Sequence, residues 1–378
     1  MERYVCLNSK GFMRYPILSR RNFLKLAGYG FGSLVIQPAL PVKSLAGFPN
    51  YDHLGRVSVG KVDLKSRPDE SSATVSVLYE DAVVPWLHET VGPKPYYINQ
   101  RWVETPDGYI YASYLQPVRN IPNQPVLELN QTDIGTGTWM EVTIPYADVV
   151  LQNKPSSNSW VKAKMDQGLP VRLYYQQVFW VDRIRKDENG QIFYRVNPNY
   201  YGGVDMLWVK AEAMRPISPE EIQPITPQVE EKRIVVDVVQ QSLSCFERNT
   251  EVYFCRVSTG AKFDAYGNKV EKWSTPVGKH RISRKYITLQ MSGGTTGAGY
   301  DLPGIGWTTI FVTGGVAIHS TFWHNDYGVP RSHGCVNVKP EDAKWIFLWT
   351  LPVVSYNSGL ADVSVTGETS TPVDVVEG

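Results

Sequence analysis

Cysteine is scarce in this chain, four in 378 residues, and no two of them form a Cys-x-x-Cys pair. There is no His-Glu-x-x-His helix either, so the common zinc frameworks are excluded. Charge of one sign is also missing: 38 Lys and Arg stand against 37 Asp and Glu, with no basic run or stripe. A nucleic-acid binder needs clustered positive charge to displace counterions from phosphate, and that class is set aside. No glycine-rich phosphate loop or dinucleotide fingerprint follows a strand and opens a helix. No apolar run reaches the ~20 residues that span a bilayer comfortably.

Against this background one pairing stands out. His319-Ser320 is followed by Ser332-His333-Gly334-Cys335-Val336-Asn337. A thiol is only slightly ionised at neutral pH, and a nearby imidazole can take its proton and hold the charge that results. Cys335 is the candidate nucleophile. Gly334, without a Cβ, lets a substrate approach the backbone, and the amides around Cys335 can point at an oxyanion. On spacing alone either His319 or His333 can be the base. His319, His324, Asp326, His333 and Cys335 also crowd together as nominal metal ligands, but on a loop with no supporting spacing. The expectation is no metal and no cofactor.

These residues resemble the signature of the YkuD-type L,D-transpeptidases, enzymes of peptidoglycan assembly and hence of cell-wall organisation and cell shape. The resemblance extends upstream to Arg233-Ile234-Val235-Val236-Asp237, Val257-Ser258-Thr259-Gly260 and Thr275-Pro276-Val277-Gly278, about a third of the chain. It implies a β-sandwich catalytic domain over 232–356. It makes Cys335 the nucleophile and His319 the base, with Ser320 orienting that imidazole through its backbone carbonyl. Ser332, His333, Gly334 and Asn337 are then supporting residues of the pocket. Many relatives carry arginine at the position of Asn337, and others asparagine.

The implied reaction is acyl exchange on peptidoglycan stem peptides. A tetrapeptide donor forms a thioester on Cys335 with release of D-alanine, and the side-chain amine of a diamino acid on a neighbouring stem accepts the acyl group. With water as acceptor the same site is an L,D-carboxypeptidase. A wall-cutting cysteine peptidase is a rival, although such peptidases usually place cysteine before histidine. A non-catalytic wall-binding scaffold is the other.

The remainder of the chain reads as mainly β. Short β-rich runs and turns over 55–118, among them Val75–Tyr79, Trp102–Glu104 and Asp107–Ile110, resemble a bacterial Src-homology-3-like barrel. A second β-rich segment, 124–217, has a hairpin cue at Asp187-Glu188-Asn189-Gly190. Its end, Ala213-Met214-Arg215-Pro216-Ile217, echoes Tyr114-Leu115-Gln116-Pro117-Val118, as a second such barrel would. Trp86, Tyr96, Tyr97, Tyr200 and Tyr201 either stack on glycan rings or fill small β cores, and core filling is expected. Glycan or wall contact is assigned to these barrels. Residues 218–231, rich in Pro and Glu, are expected to be a stiff polar linker, and 366–378 a disordered tail. Pro340 followed by Glu341 and Asp342 marks a helix start. No oligomeric state is read from the sequence.

Ser19-Arg20-Arg21-Asn22-Phe23-Leu24-Lys25 and the weakly apolar stretch after it resemble a twin-arginine export signal over 1–46. The expectation is an extracytoplasmic protein of the wall or periplasm, membrane-tethered if the signal stays uncleaved. Removing the seven Lys/Arg and one Glu of this segment takes the formal charge from +1 to −5. Cys6 leaves with it. Cys245 and Cys255 flank a turn and are candidates for a hairpin disulfide, which leaves Cys335 as the odd thiol of an exported chain.

Overall fold

A computed structural model describes residues 47–93, 99–152, 156, 159–197, 205–263, 267–293, 300–367 and 369–378. The expected export signal, Tyr96, Tyr97, Tyr200 and Tyr201 lie outside the described residues. The chain is mainly β and forms three successive units.

The first unit folds from Leu54 to Val118 as a three-stranded and a five-stranded sheet around Val57, Val62, Leu64, Val103, Ile110 and Leu115. The second carries a seven-stranded sheet over Thr138–Pro216, with its own core of Met140, Val142, Phe179, Val181, Tyr194 and Val209. The two end alike. In the first, strand Gly108–Tyr111 passes through a 3-10 turn at Ala112–Tyr114 into strand Leu115–Val118. In the second, Leu207–Lys210 passes through Ala211–Ala213 into Met214–Pro216. The sequence echo is thus a shared backbone device: a strand residue in β conformation, Tyr111 or Lys210, opens one tight turn.

The third unit is labelled from its own first strand. One sheet, in the order β3-β2-β1-β10-β4, holds β1 (Lys232–Asp237), β2 (Ser242–Glu247), β3 (Thr250–Arg256), β4 (Gly278–Arg281) and β10 (Pro372–Val376). The other, in the order β8-β7-β6-β5-β9, holds β5 (Arg284–Gly293), β6 (Tyr300–Val312), β7 (Val316–Ser320), β8 (Val336–Val338) and β9 (Leu360–Asp362). Helix α1 (Pro340–Trp349) packs on β6 and β7. Its proline at the first turn and Glu341 and Asp342 beside it suit a helix start. The carbonyls at its other end accept from two buried lysines. Lys285 Nζ reaches Phe347 O at 2.6 Å and Thr350 O at 2.8 Å, and Lys232 Nζ reaches Trp349 O at 2.7 Å. This satisfies groups that a helix end otherwise leaves unpaired.

Three expectations are corrected here. The C-terminal residues are no disordered tail: Val373 and Val375 are buried, and β10 lies parallel to β1 and antiparallel to β4, inside the sheet. Alternating valines let this short segment fill one face while its backbone bonds on both sides, which mean polarity did not reveal. The unit therefore runs past 356 to 376. The 218–231 segment is docked: Ile222 is buried in the core of the third unit, Ile225 N donates to Leu348 O at 2.9 Å, and Glu221 receives Arg215 and Lys344. Cys245 and Cys255 are both buried and form no disulfide. The hairpin register sets Cys245 opposite Tyr253 and Cys255 opposite Leu243, so the thiols are diagonal rather than facing.

The units share cores. Trp139 and Trp180 of the second belong to the core of the third, and Trp139 Nε1 donates to Tyr356 O at 2.9 Å. Gly359 has φ +66°, and a Cβ there would lie 2.1 Å from the Trp139 ring. A smaller cluster joins Tyr174 with Ile305 and Phe322. At its edge one guanidinium touches all three units. Arg56 is buried, pairs with Asp81 at 2.6 Å, receives the Tyr174 ring at 4.1 Å and donates to Phe322 O at 2.8 Å. Arg172 of the second unit takes the other Asp81 oxygen at 2.8 Å. Removing Arg56 leaves Asp81 its bond to Arg172 but deprives Asp81 Oδ1, Gln116 Oε1 and Phe322 O of their donor, and a buried polar group left unpaired costs about 1–3 kcal/mol. Arg56→Ala is expected to lower unfolding free energy by about that amount, read from a urea titration followed by tryptophan fluorescence. A change under about 1 kcal/mol would show that the junction carries little of the stability.

Candidate active site

β7 and β8 are neighbours in parallel register, with Ile318 opposite Val336, His319 opposite Asn337 and Ser320 opposite Val338. Side chains alternate along a strand, so His319 and Asn337 share a face, and Cys335, two residues before Asn337, falls on that side. The fold thereby sets His319 on one strand and Cys335 immediately before its parallel neighbour.

The turn that presents Cys335 is built from the segments that carried the resemblance. Arg331 N and Ser332 N donate to Thr259 O, and Ser258 exchanges two backbone bonds with Asn337. Thr275 Oγ1 accepts from Gly260 N at 2.9 Å and donates to Gly334 O at 2.8 Å. Ser332 Oγ donates to Cys335 O at 2.5 Å and accepts from Gly334 N at 3.1 Å. A Cβ on Gly260 would sit 2.0 Å from Trp273 O, so that position needs glycine for space. Gly334 needs it for conformation. Its φ is +122°, while an added Cβ would meet only ordinary contacts at 3.6 Å and beyond. His333 is exposed and packs edge-on to Trp273, with ring centres 4.5 Å apart.

His319 is buried, and its Nδ1 lies 2.8 Å from Ser320 O. A carbonyl only accepts, so Nδ1 carries the proton and Nε2 keeps a lone pair. Trp323 tilts over this ring at 5.9 Å. Burial pushes the His319 pKa down to about 4, against a small raising effect of the Ser320 bond. Cys335 is partly exposed, yet its thiol is enclosed enough that loss of water raises its pKa to about 11, opposed only by the Ala317 amide. Its sulfur lies 3.7 Å from Gly315 O. At rest this is a neutral thiol and a neutral imidazole, a pair in which proton transfer accompanies attack.

The connection between the two strands is packed into the fold. Phe322, His324, Asn325 and Asp326 are buried. Asp326 Oδ1 accepts from Ser113 Oγ at 2.9 Å and Asn99 Nδ2 at 3.1 Å, and Asn325 Nδ2 donates to Ala112 O, all on the first unit. Arg331 pairs with Asp326 at 3.2 Å. His324 Nε2 lies 3.0 Å from the Asn337 amide. No local motif signals this docking, because its partners lie more than two hundred residues upstream. Among the described residues no three His, Cys, Asp or Glu side chains gather as metal ligands.

Residues 231–375 match the YkuD family, described as the L,D-transpeptidase catalytic domain. No curated protein matches. Among solved structures, an Enterococcus faecium L,D-transpeptidase in a cysteine-to-serine mutant form is 22% identical over 40% of this chain and 51% of that one, with a TM-score of 0.29. An L,D-transpeptidase from Mycobacterium smegmatis is 18% identical over 66% of this chain and 98% of that one, TM-score 0.30. L,D-transpeptidase 3 from Mycobacterium tuberculosis is 16% identical over 68% and 98%, TM-score 0.28. The chain spans about half the length of the Enterococcus structure.

Two outcomes follow from the buried titrations. The rate of Cys335 alkylation by iodoacetamide should keep climbing past pH 9 toward about 11; a plateau near pH 7 would mean a preformed thiolate. His319 and His324 have folded values of about 4 and 3, below the ordinary 6.5, so the unfolded chain binds more protons. The stability they contribute is complete above about pH 6.5 and is lost as pH falls through about 4 and 3. His324→Gln should flatten this acid dependence in denaturation curves taken from pH 7 to 4.

Proposed function

Since residues 231–375 match the L,D-transpeptidase catalytic domain of the YkuD family, we propose that the protein cross-links peptidoglycan stem peptides through a Cys335 thioester. The observation that supports this most is the pairing of β7 with β8. It sets His319, its Nε2 unprotonated, on the sheet face from which Cys335 emerges.

In the first half-reaction His319 Nε2 takes the thiol proton as Cys335 Sγ attacks the carbonyl carbon of the third stem residue. The π electrons move to oxygen, and the adduct collapses with cleavage of the C–N bond to the terminal D-alanine. The imidazolium returns its proton to the departing amine. In the second half-reaction His319 takes a proton from the side-chain amine of a neighbouring stem as it attacks the thioester carbonyl. The amide forms, the C–S bond breaks, and the thiolate recovers the proton. Water in place of the amine gives hydrolysis to a tripeptide. Ser320, through its carbonyl, holds the imidazole in the tautomer both steps require.

The two N-terminal units we assign as Src-homology-3-like modules that contact the wall. Joined rigidly to the catalytic unit, they would raise its effective concentration at the substrate. An export segment at 1–46 puts the enzyme where that substrate is.

Mass spectrometry of disaccharide-tetrapeptide incubated with the protein and with Cys335→Ala tests the reading. A cross-linked dimer lacking one D-alanine, formed only with Cys335, is expected. A tripeptide alone would redirect the assignment to hydrolysis, and no product from folded protein would overturn it. In addition, kcat/KM for D-alanine release should rise with pH through about 4, as His319 loses its proton, and show no thiol inflection before about 11. An inflection near pH 7 would contradict the neutral pair.

A further inference from the structure

His324 is buried with both ring nitrogens engaged. Asp326 N approaches Nδ1 at 3.2 Å, and the Asn337 side-chain amide approaches Nε2 at 3.0 Å, by its Nδ2 as placed. The backbone amide can only donate, so Nδ1 accepts. Burial, with Arg331 and His319 nearby, pushes the ring's pKa down to about 3, so it is neutral and its one proton is on Nε2. An Nε2–H needs an acceptor, and Nδ2 is not one. The two ends of an asparagine amide are assigned from hydrogen bonding, and here the bonding requires the oxygen at His324. The nitrogen then takes the other end, which has no partner among the described residues although Asn337 is only 2% exposed. A buried NH2 left unpaired is costly, and this one stands on the sheet face shared with His319 and Cys335.

We infer that His324 is a positioning residue: its Nε2–H fixes the Asn337 amide so that Nδ2 presents a hydrogen-bond donor to a carbonyl or carboxylate oxygen of the donor stem peptide beside Cys335. Asn337 is then the group that touches substrate, and His324 acts through it. The chain of support continues outward. Asp326, whose amide fixes the His324 tautomer, is held by Ser113 and Asn99 of the first unit. The first unit therefore sets the polarity of a group in the active site. The inference rests on the transpeptidase reading for its substrate, but not for its geometry.

The experiment compares His324→Leu, His324→Gln and Asn337→Ala for kcat/KM of D-alanine release from disaccharide-tetrapeptide, alongside iodoacetamide labelling of Cys335. Loss of one preorganised donor lowers rate by about 100-fold or more, so Asn337→Ala and His324→Leu should both fall at least about tenfold. Combining them should add nothing beyond Asn337→Ala. His324→Gln, whose side-chain NH2 can still donate to the Asn337 oxygen, should retain most of the rate. Labelling should match the unsubstituted protein throughout. Wild-type turnover in His324→Leu, equal loss in His324→Gln, or labelling that falls with turnover would each overturn the inference. Nitrogen-15 NMR of the ring decides the geometry without turnover: His324 protonated at Nε2 supports it and the opposite tautomer refutes it. An inactive parent protein would thus sink the transpeptidase reading alone.

Discussion

Parallel pairing of β7 with β8 is the constraint from which the rest of the site follows. Antiparallel neighbours close through a two-residue turn, whereas parallel ones need a crossover of a dozen residues or more. Here residues 321–335 make that crossover without a helix or strand of their own. Their backbone polar groups have no ladder to join and must find partners elsewhere. They find them on the first unit, where Arg56 and Arg101 reach Phe322 O and Asn325 O, and within the third, where Gly328 N bonds Val257 O and Arg331 N and Ser332 N bond Thr259 O. The connection into the site is thus held by another unit as well as by its own.

Charge at this junction and neutrality at the site are two results of the same dehydration. Asp81 lies between two guanidiniums, with one partner at each oxygen. His319 and Cys335, lacking a counterion, are driven to their uncharged forms. A cysteine held as a free thiolate reacts with any electrophile. A neutral thiol reacts only where a substrate places a carbonyl against it and a base accepts the proton in the same event. Selectivity is thereby gained at the expense of intrinsic nucleophilicity.

The site was legible because its chemistry is local. Gly334, Cys335 and the motifs at 257–260 and 275–278 are short strings whose residue types follow from φ, close approach and hydroxyl bridging. The helix start at Pro340 and the hairpin after Lys186 were legible for the same reason. What stayed hidden depends on contacts between distant segments. Nothing near Asp326 announces Ser113 or Asn99, and nothing in Pro372–Val376 announces β1. The disulfide expectation failed on register, since two residues of offset along a hairpin are invisible in spacing but decide whether thiols face.

The place of β10 has a bearing on how the protein is made. It lies between β1 and β4, so Ile234 waits for Val373 across nearly the whole third unit. A sheet whose interior strand is translated last cannot be assembled progressively as the chain emerges. Until residue 376 has left the ribosome, β1 and β4 present unpaired edges to one another across an open slot. A nascent chain in that state offers a ready template for strand exchange. Synthesis and folding of the catalytic unit are therefore separated in time, and the interval between them is when the chain depends most on its cellular surroundings.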